Sequence, residues 1–319
     1  MDNSTDYNFD PTYGYNLTEL LSVSAPREPK YFDEFWQQRY QRALTVNPEP
    51  QINLIHEDKL GWQVFSINYA STDDFCIGGW LLIPTSGDVK RGFIIGHGYG
   101  GRNEPDYHLP FKDAALLFPC SRGLSLSAHN ALPSESYQHV LHNIEDKDNY
   151  ILGGCVDDVW LAVSALLTLF PSTLGHLGYL GISFSGGIGA LALAYEARIA
   201  KGHLNIPTFG HLPLRLRLKT NGSAHSVQQY YGTHKKEALK TLAYYDAALA
   251  AKRIKIPMHC ACALFDPCVS PPGQFAIYNA LSCDKKLFVL EAGHHSYQNQ
   301  LPQEYELINQ LAIFFESLS

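Results

Sequence analysis

A serine between a short apolar strand and a glycine-rich helix has the clearest chemical potential in this chain. The stretch Leu177–Ile182 is predicted to be the strand, and two glycines and a run of small residues follow Ser183 closely. A turn this tight strains the backbone at the serine and presents its hydroxyl beside a helix N-terminus, as in a nucleophile elbow. Small neighbours are required because the strand and the helix approach each other closely.

The usual Gly-x-Ser-x-Gly pattern of such an elbow is incomplete. Around Ser183 the sequence runs Gly-Ile-Ser-Phe-Ser, so a serine replaces the second glycine. If the pattern is centred on Ser185 instead, Ser183 replaces the first glycine. We favour Ser183 because the predicted strand ends at Ile182 and a Gly-Gly pair follows Ser185. An ordinary strand–helix turn rich in Gly and Ser is the structural alternative.

A carboxylate and two histidines follow the serine, each at a predicted strand end. The strand at 256–265 runs into Asp266, and the strand at 286–291 runs into Ala-Gly-His294-His295. α/β-Hydrolases place their triad in the chain order Ser, Asp or Glu, His. The histidine removes the serine proton, while the carboxylate fixes its tautomer and stabilises the imidazolium. A simple Asp-Pro turn and a surface His-His loop are the structural alternatives.

A second glycine-rich loop lies upstream, where the strand at 92–96 runs into His97-Gly-Tyr99-Gly-Gly. Such a loop can aim a backbone N–H at the negative oxygen that develops on a substrate carbonyl. The residue after the nucleophile supplies a second N–H. The candidate oxyanion-hole donors are therefore the amides of Tyr99 and Phe184. We interpret His97 as a support of this loop and not as a proton-transfer group.

The same loop also fits the dinucleotide-binding spacing Gly-x-Gly-x-x-Gly after a strand. That motif needs a helix to begin at the loop, and Pro105 and Pro110 disfavour one there. The next strand ends in Cys120-Ser-Arg, without the carboxylate that binds a ribose. The sequence therefore favours an oxyanion loop over nucleotide binding.

The composition argues against two classes of ligand. There are 24 Lys and Arg against 31 Asp and Glu, a net charge of −7, whereas nucleic-acid-binding proteins normally show a basic face. The seven cysteines, an odd number, lie largely in or beside apolar runs, which is typical of reduced thiols in a cytosolic core. Cys260 and Cys262 share one strand face, but no second Cys or His pair at zinc spacing accompanies them, so no metal site is expected.

Short apolar strands alternate with helices along the chain. We predict strands at 62–69, 76–83, 92–96, 115–120, 177–182, 256–265 and 286–291, and helices at 31–43, 156–170, 186–200, 275–281 and 304–318. This alternation indicates an α/β protein with a mostly parallel central sheet and helices on both faces. No linker divides the chain, so we expect a single domain over residues 1–319.

Two stretches depart from the alternation. Residues 1–30 are polar and contain three prolines, which predicts an irregular leader, and residues 202–251 are predicted to be a cap or an interface insertion. The N-terminus lacks a basic region followed by an apolar one. No stretch approaches the roughly 20 apolar residues that a membrane span needs. We therefore expect a cytoplasmic protein with no membrane and no nucleic-acid partner.

Further short motifs, met in order, give the chain a family resemblance. They include Pro-Lys-Tyr-Phe-Asp-Glu-Phe-Trp from residue 29, Gly-Trp-Leu-Leu-Ile-Pro from 79, Thr-Leu-Ala-Tyr-Tyr-Asp from 241 and Phe-Ala-Ile-Tyr-Asn from 275. With the loop at 97–101, an Arg-Gly pair at 122 and the serine elbow, they resemble the acetyl xylan esterase and cephalosporin C deacetylase group. This is carbohydrate esterase family seven of the α/β-hydrolase superfamily.

The resemblance implies an α/β-hydrolase fold and a triad of Ser183, Asp266 and either His294 or His295. The Gly-His order favours His294, whereas matching the preceding strand to the family without gaps favours His295; our preference is His294. The Tyr99 and Phe184 amides take the oxyanion-hole positions. The resemblance also implies a structural role for Arg122 near the site, no cofactor and a homo-oligomer.

Departures from the family pattern surround this site. The family's Ser-Gln-Gly-Gly reads Ser-Phe-Ser-Gly from Ser183, its Arg-Gly-Gln reads Arg-Gly-Leu from Arg122, and its His-Glu reads His-Ser from His295. Because these departures surround the site, we expect them to affect substrate preference more than the reaction itself. Ser185 in place of glycine is also expected to crowd the elbow and slow the enzyme.

The expected function is that of a serine esterase (a carboxylesterase) acting on a short-chain acyl ester of a small molecule. The resemblance implies deacetylation of acetylated sugars. An esterase or thioesterase for another short acyl group is the alternative within hydrolases. A hydrolase-fold binding protein without catalysis is the alternative of a different class, supported by the substituted elbow and opposed by the apparently complete triad.

Overall fold

The computed structural model describes residues 7–85 and 89–318, so the first six residues of the predicted leader lie outside the described part. Within that part, nine strands form one mixed sheet. They are β1 (Gln51–Lys59), β2 (Trp62–Ala70), β3 (Cys76–Pro84), β4 (Arg91–Gly96), β5 (Ala114–Pro119), β6 (Leu177–Ile182), β7 (Lys201–Asn205), β8 (Met258–Ala263) and β9 (Lys285–Leu290).

The same residues form eleven α-helices, several of them only one turn long. They are α1 (Leu17–Leu20), α2 (Phe32–Leu44), α3 (Ser136–His139), α4 (Ile151–Leu169), α5 (Phe184–Leu193), α6 (Leu212–Arg215), α7 (Ala224–Thr233), α8 (Lys235–Leu242), α9 (Ala247–Ala251), α10 (Pro271–Ala280) and α11 (Gln300–Glu316). Most of the predicted elements are present with shifted ends.

The strand order is β1-β2-β3-β5-β4-β6-β7-β8-β9. The first three strands are antiparallel neighbours, β3 meets β5 antiparallel, and the six strands from β5 to β9 in that order run parallel. The prediction of a mostly parallel α/β sheet is thus confirmed. In a parallel sheet the loops that follow the strands open at one edge. The ends of β4, β6, β8 and β9 therefore meet there.

Apolar side chains cover both faces of the sheet. On one face, helices α2, α4, α5, α9 and α10 bury the larger core, where the rings of Trp36 and Trp160 meet edge to face at 6.2 Å. On the other face, the rings of Phe93 and Phe111 stack with their centroids 4.1 Å apart, and α11 places the ring of Phe315 against both. Each large apolar side chain buried this way contributes about 1.5–3 kcal/mol. The two cores hold the strand ends that carry the site.

Helix α4 is the one described helix long and apolar enough to cross a membrane, which the sequence analysis did not expect. Most of it is buried inside the fold, where it packs against α2 and α5. Its adjacent carboxylates are buried as well and each meets an arginine. Asp157 pairs with Arg39 at 2.8 Å, and Asp158 pairs with Arg122 at 2.7 Å. These features are those of a core helix.

Two strands were missed by the sequence analysis. β1 is exposed along nearly its whole length, and polar and apolar residues alternate only over residues 51–54, which is too short a stretch to predict a strand by itself. β7 has only five residues and begins at Lys201, directly after the helix predicted at 186–200, which as α5 already stops at Leu193. In β7, the buried His203 lies with its Nδ1 3.0 Å from the Nδ1 of His259 in β8. Burial lowers the pKa of His259 to about 4.

The predicted insertion at 202–251 has three different roles. It begins inside the sheet as β7 and is therefore not wholly an addition to the core fold. The residues before and within α7 line a cavity at the strand ends. Helix α9 is buried against α5 and α10. The segment thus supplies a strand, a cavity wall and a core helix, and its role as an oligomer interface stays a prediction.

Candidate active site

Ser183 lies at the sharp turn between β6 and α5. Its backbone has φ 52° and ψ −107°, a conformation that residues with a β-carbon rarely adopt. Its amide donates to Asn205 O at 2.8 Å and its carbonyl accepts from Thr208 N at 3.1 Å. A β-carbon on Gly187 would lie 2.3 Å from Thr208 O, so only glycine fits there. The backbone around the turn therefore holds the serine in its strained form.

The serine that replaces the second elbow glycine is accommodated by another glycine. A β-carbon on Gly96, at the end of β4, would lie 2.4 Å from Ser185 Cβ, so the bare Gly96 provides the space that Ser185 fills. Ser185 N donates to His97 O at 3.2 Å, and Tyr179 OH donates to Ser185 O at 2.7 Å. The expected crowding of the elbow is thus relieved on the β4 side.

His294 links the serine to a buried carboxylate. Its Nε2 lies 2.9 Å from Ser183 Oγ, and its Nδ1 lies 2.8 Å from Asp266 Oδ2. The side chain of His294 is 26% exposed and that of Asp266 is fully buried. With the Nδ1 proton donated to Asp266, Nε2 is free to accept the serine proton. Burial lowers the pKa of His294, but its hydrogen bond to Asp266 and the charge of Asp266 outweigh burial and raise it above its ordinary value.

Asp266 follows β8 and accepts hydrogen bonds on both oxygens. Oδ1 accepts from the amides of Cys268 at 2.8 Å and Val269 at 2.9 Å. Oδ2, besides facing His294, accepts from Nε2 of the buried Gln274 at 3.0 Å. Gln274, at the start of α10, was not identified from the sequence. No local motif marks it, because the contact depends on how α10 packs beside β8.

His295, the alternative base, lies apart from this chain of hydrogen bonds. Its ring contacts Phe265 at 5.1 Å and Tyr7 at 5.7 Å between centroids, and its Nδ1 lies 2.9 Å from Tyr7 OH. In the described residues it has no hydrogen bond to Ser183 or Asp266. The two neighbouring histidines diverge because His294 has a left-handed backbone, with φ 47°. The structure therefore brings His294, and not His295, to the serine.

The leader segment, defined here as residues 7–15, contacts both loops of this site. Asp266 N donates to Pro11 O at 3.1 Å, and Tyr13 OH donates to Lys219 O at 2.6 Å. Tyr7 reaches His295 as described above. The polar, proline-containing sequence predicts irregular structure here, which is largely correct as backbone, but it gives no sign that the segment takes part in the site. Its contacts join residues far apart in the chain, so no local pattern reveals them.

The two residues whose amides are the predicted oxyanion donors pack their side chains against each other. The ring of Tyr99 lies 4.2 Å from that of Phe184, which is completely buried. Neither backbone amide donates a hydrogen bond to another residue in the described parts of the chain. Phe184 N is the first amide of α5, where the helix dipole favours negative charge. Both amides are therefore available to a ligand at the Ser183 hydroxyl.

His97 and His139 brace the Tyr99 loop from behind. His97 Nδ1 lies 2.6 Å from Gly98 O and its Nε2 accepts from Ser121 N at 3.0 Å. His139 Nδ1 lies 2.9 Å from Tyr99 OH. Burial lowers the pKa of both histidines to about 4, so both are neutral at pH 7. His97 makes no hydrogen bond to the serine. His139 was not singled out from the sequence, because a lone histidine outside any motif carries no signal.

Arg122 lies behind the same loop, in a buried ion pair with Asp158. Its backbone N–H and its guanidinium both donate to that carboxylate, and its Nη2 also donates to Ser71 and Thr72. Its carbonyl lies 2.9 Å from His139 Nε2. Arg122 does not line the cavity at Ser183. Its contacts are those of a residue that fixes the loop.

A cavity of about 890 Å³ opens over Ser183. The oxyanion loop, the start of α7, the loop after β8 and the segment from Ala292 to Tyr297 form its walls. Polar groups from Ser136, Asn221, Ser223, Gln300 and Glu304 face it, together with the apolar Val269 and Leu307. The cavity is wide enough for a ligand well beyond an acetyl group.

Residues 7–85 and 89–318 contain no group of three or more His, Cys, Asp or Glu that could hold a metal ion. Cys260 and Cys262 are buried free thiols in β8, and all seven cysteines are unpaired. Cys268 lines the cavity, but burial raises the pKa of its thiol to about 11, which leaves it protonated at neutral pH.

Comparison with known proteins identifies a family and similar folds. The chain matches the acetyl xylan esterase family (AXE1) over residues 15–311. Its structure is similar to that of the acetyl xylan esterase from Paenibacillus sp. R4, with a TM-score of 0.82 and 20% identity over 93% of this chain and 99% of that one. It is also similar to acetyl xylan esterase 1 from Thermoanaerobacterium sp. JW/SL YS485. The TM-score is 0.76 and the identity is 18%, over 95% of this chain and 99% of that one.

A more distant similarity links the chain to the Pyrococcus horikoshii acylaminoacyl peptidase. The TM-score is 0.63 and the identity 15%, over 80% of this chain and 41% of that one. These similarities confirm the α/β-hydrolase fold predicted from the sequence. The family match covers most of the chain and confirms the predicted resemblance: the chain belongs to the acetyl xylan esterase family.

Proposed function

We propose that the chain is a serine esterase that removes acetyl groups from acetylated sugars. The observation that carries this is the continuous arrangement of Ser183 Oγ, His294 and Asp266, with hydrogen-bond distances of 2.9 and 2.8 Å, at the base of an open cavity. Membership in the acetyl xylan esterase family supports the proposal that the bond cleaved is an ester and that the substrate is a sugar. The substrate is thus a small-molecule ester.

In the first half of the reaction, Ser183 Oγ attacks the ester carbonyl carbon while its proton passes to His294 Nε2. The carbonyl oxygen becomes an oxyanion that accepts hydrogen bonds from the Tyr99 and Phe184 amides. The C–O bond to the sugar then breaks. The imidazolium of His294 gives its proton to the departing sugar oxygen, which leaves as an alcohol, and the acyl group stays on Ser183.

In the second half, a water molecule replaces the sugar. His294 takes one water proton as the water oxygen attacks the acyl-enzyme, and the same oxyanion hole holds the new tetrahedral species. Collapse breaks the bond to Ser183, His294 returns the proton to Oγ, and the carboxylic acid is released. Asp266 stays ionised throughout and stabilises the imidazolium that forms in each half.

The test is hydrolysis of a short-chain aryl acetate by the wild type and two serine variants. Ser183→Ala should lower kcat by roughly 10⁴-fold or more. Ser185→Ala is the matched control and should retain most activity, because its hydroxyl is not the nucleophile. Butyrate and hexanoate esters then test the acetyl preference. Activity that survives Ser183→Ala would contradict the assignment. A folded wild type that neither hydrolyses esters nor reacts with an organophosphate would favour a non-catalytic binding protein.

A further inference from the structure

A second cavity, of about 490 Å³, adjoins the one over Ser183. The two share four lining residues, Ser136, Asn221, Gly222 and Ser223, so one ligand can occupy both. The second cavity lies on the side of α3 and α7, and its lining includes no residue of the loops that carry Asp266 and His294, although Asn221 N donates to Pro267 O beside Asp266. Nothing in the acyl-transfer steps uses it.

The lining of this second cavity is rich in hydrogen-bonding groups. Beyond the shared residues it contains Tyr137, Thr220, His225 and Ser226, and it has no Asp, Glu, Lys or Arg. Four of its polar side chains, those of Ser136, Asn221, Ser223 and Ser226, make no hydrogen bond within residues 7–85 and 89–318. A lining of free hydroxyl and amide groups suits a neutral ligand that carries several hydroxyls.

Tyr137 provides the flat surface of this cavity. It is 52% exposed and stacks on no other aromatic ring in the described residues. Its helix, α3, packs against α7 and ends at His139, which meets Tyr99 OH and Arg122 O. The backbone that carries the ring is therefore held relative to the oxyanion loop, while the ring is open to solvent. An exposed ring with a polar edge can stack on the C–H face of a sugar, while neighbouring groups bind its hydroxyls.

We propose that this cavity is a second sugar subsite, in which Tyr137 stacks on the ring next to the acetylated one. The inference rests on the proposed function and refines it: the preferred substrate is an acetylated oligosaccharide of at least two units. The acetyl group then lies at Ser183, the sugar that bears it occupies the larger cavity, and the adjoining unit extends along Asn221 and Ser223 to Tyr137.

The test compares Tyr137→Ala with the wild type on xylobiose that carries one acetyl group and is otherwise unsubstituted, on monoacetylated xylose and on 4-nitrophenyl acetate. The variant should lose roughly two- to tenfold in kcat/KM on the disaccharide, through KM, since an aromatic stacking contact is of that strength. The other two substrates do not reach the subsite and should be unaffected. Tyr137→Phe keeps the ring and should behave like the wild type. Tyr305→Ala, which removes a 70% exposed ring outside both cavities, is the matched control.

The outcomes separate the subsite from the proposed function. If Tyr137→Ala leaves the disaccharide KM unchanged while the wild type hydrolyses all three esters, the subsite is wrong and the esterase stands. Equal losses on all three substrates would make Tyr137 a structural residue and also overturn the subsite. A wild type that hydrolyses none of them overturns the proposed function, and the subsite with it.

Discussion

The amide of Asp266 donates a hydrogen bond to the carbonyl of Pro11, 3.1 Å away. The N-terminal leader segment thus holds the main chain of the carboxylate that orients His294. On either side of this bond, Tyr7 contacts His295 on the loop after β9, and Tyr13 contacts Lys219, two residues before Asn221 of the cavity wall. The segment therefore joins three separate parts of the site.

Deleting residues 1–13 should lower kcat on an aryl acetate by about tenfold or more, since small displacements of catalytic groups are costly. KM for so small a substrate should change less. Tyr13→Phe removes only the hydroxyl contact with Lys219 and should have a smaller effect. Thr12→Ala is the control, because its hydroxyl bonds only within residues 10–14. Unchanged kcat in a folded deletion variant would show that the segment does not position Asp266.

The two neighbouring histidines should respond differently to substitution. His294→Ala removes the group that faces both Ser183 and Asp266, so kcat should fall by roughly 10⁴-fold or more. His295→Ala removes a contact with Tyr7 and should cost no more than about tenfold. Steady-state kinetics of both variants on one aryl acetate show which histidine is the base. The reverse order of losses would reassign the base to His295.

The pH–rate profile should reflect the raised pKa of His294. Because the base must be unprotonated, kcat/KM should rise with a midpoint above the roughly 6.5 of an ordinary histidine. Asp266→Asn should lower that midpoint, since the carboxylate raises the pKa, and should lower kcat by about 10⁴-fold. Profiles of the two proteins between pH 5 and 9 test this. A midpoint that does not move in Asp266→Asn would contradict the coupling.

Folding stability should fall in mild acid. The pKa values of His97, His139 and His259 are lowered to about 4 by burial, and that of His203 is lowered well below normal. Between pH 6.5 and 4 the unfolded chain takes up protons that the folded one does not, so each group removes up to about 1.4 kcal/mol per pH unit. His294 acts oppositely, since its stabilisation is complete below pH 6.5 and is lost as pH rises through its folded pKa.

Urea unfolding at a series of pH values measures this effect. The midpoint should drop steadily from pH 6.5 to 4, and His259→Gln, which cannot take up a proton, should flatten part of the drop. A flat urea midpoint across this interval in the wild type would contradict the prediction that these histidines are neutral in the folded protein.

Gly96 and Ser185 should show strong coupling in a double-mutant cycle. Gly96→Ala places a β-carbon 2.4 Å from Ser185 Cβ and should destabilise the fold by about 1–3 kcal/mol. Adding Ser185→Gly removes that clash and leaves Tyr179 OH, at 3.2 Å, as the nearest contact. The double variant should therefore recover most of the lost stability in thermal unfolding. Simple additivity of the two free-energy changes would refute the proposed fit.

The sequence predicted the parts of the site that follow from strand ends. Ser183 and Asp266 each come after an apolar strand, and the chain order of an α/β-hydrolase brings such residues together. The choice between His294 and His295 could not be settled this way, because it depends on the left-handed backbone of one residue. Gln274 and Pro11 support Asp266 through contacts between distant elements, which local patterns do not encode.

Contacts between distant elements also explain where the secondary structure was predicted wrongly. β7 is short, carries polar residues and lies in the sheet because β6 and β8 pair with it on either side. The helix predicted at 186–200 overran its end because Ala-rich sequence continues past Leu193 without a strong stop signal. In both cases the tertiary structure, and not the local secondary-structure preference of the residues, determines the secondary structure.

The exposed strand β1 has a consequence for how the protein behaves in crowded solution. Its outer edge has no neighbouring strand in the described residues, which leaves a row of main-chain groups on which another extended chain could add. In one half of that edge, two register shifts distort the strand, and the run His-Glu-Asp-Lys at 56–59 adds charged side chains. The other half, around Ile52 and Leu54, is regular and apolar. Uncontrolled strand addition, the first step toward aggregation, would begin there.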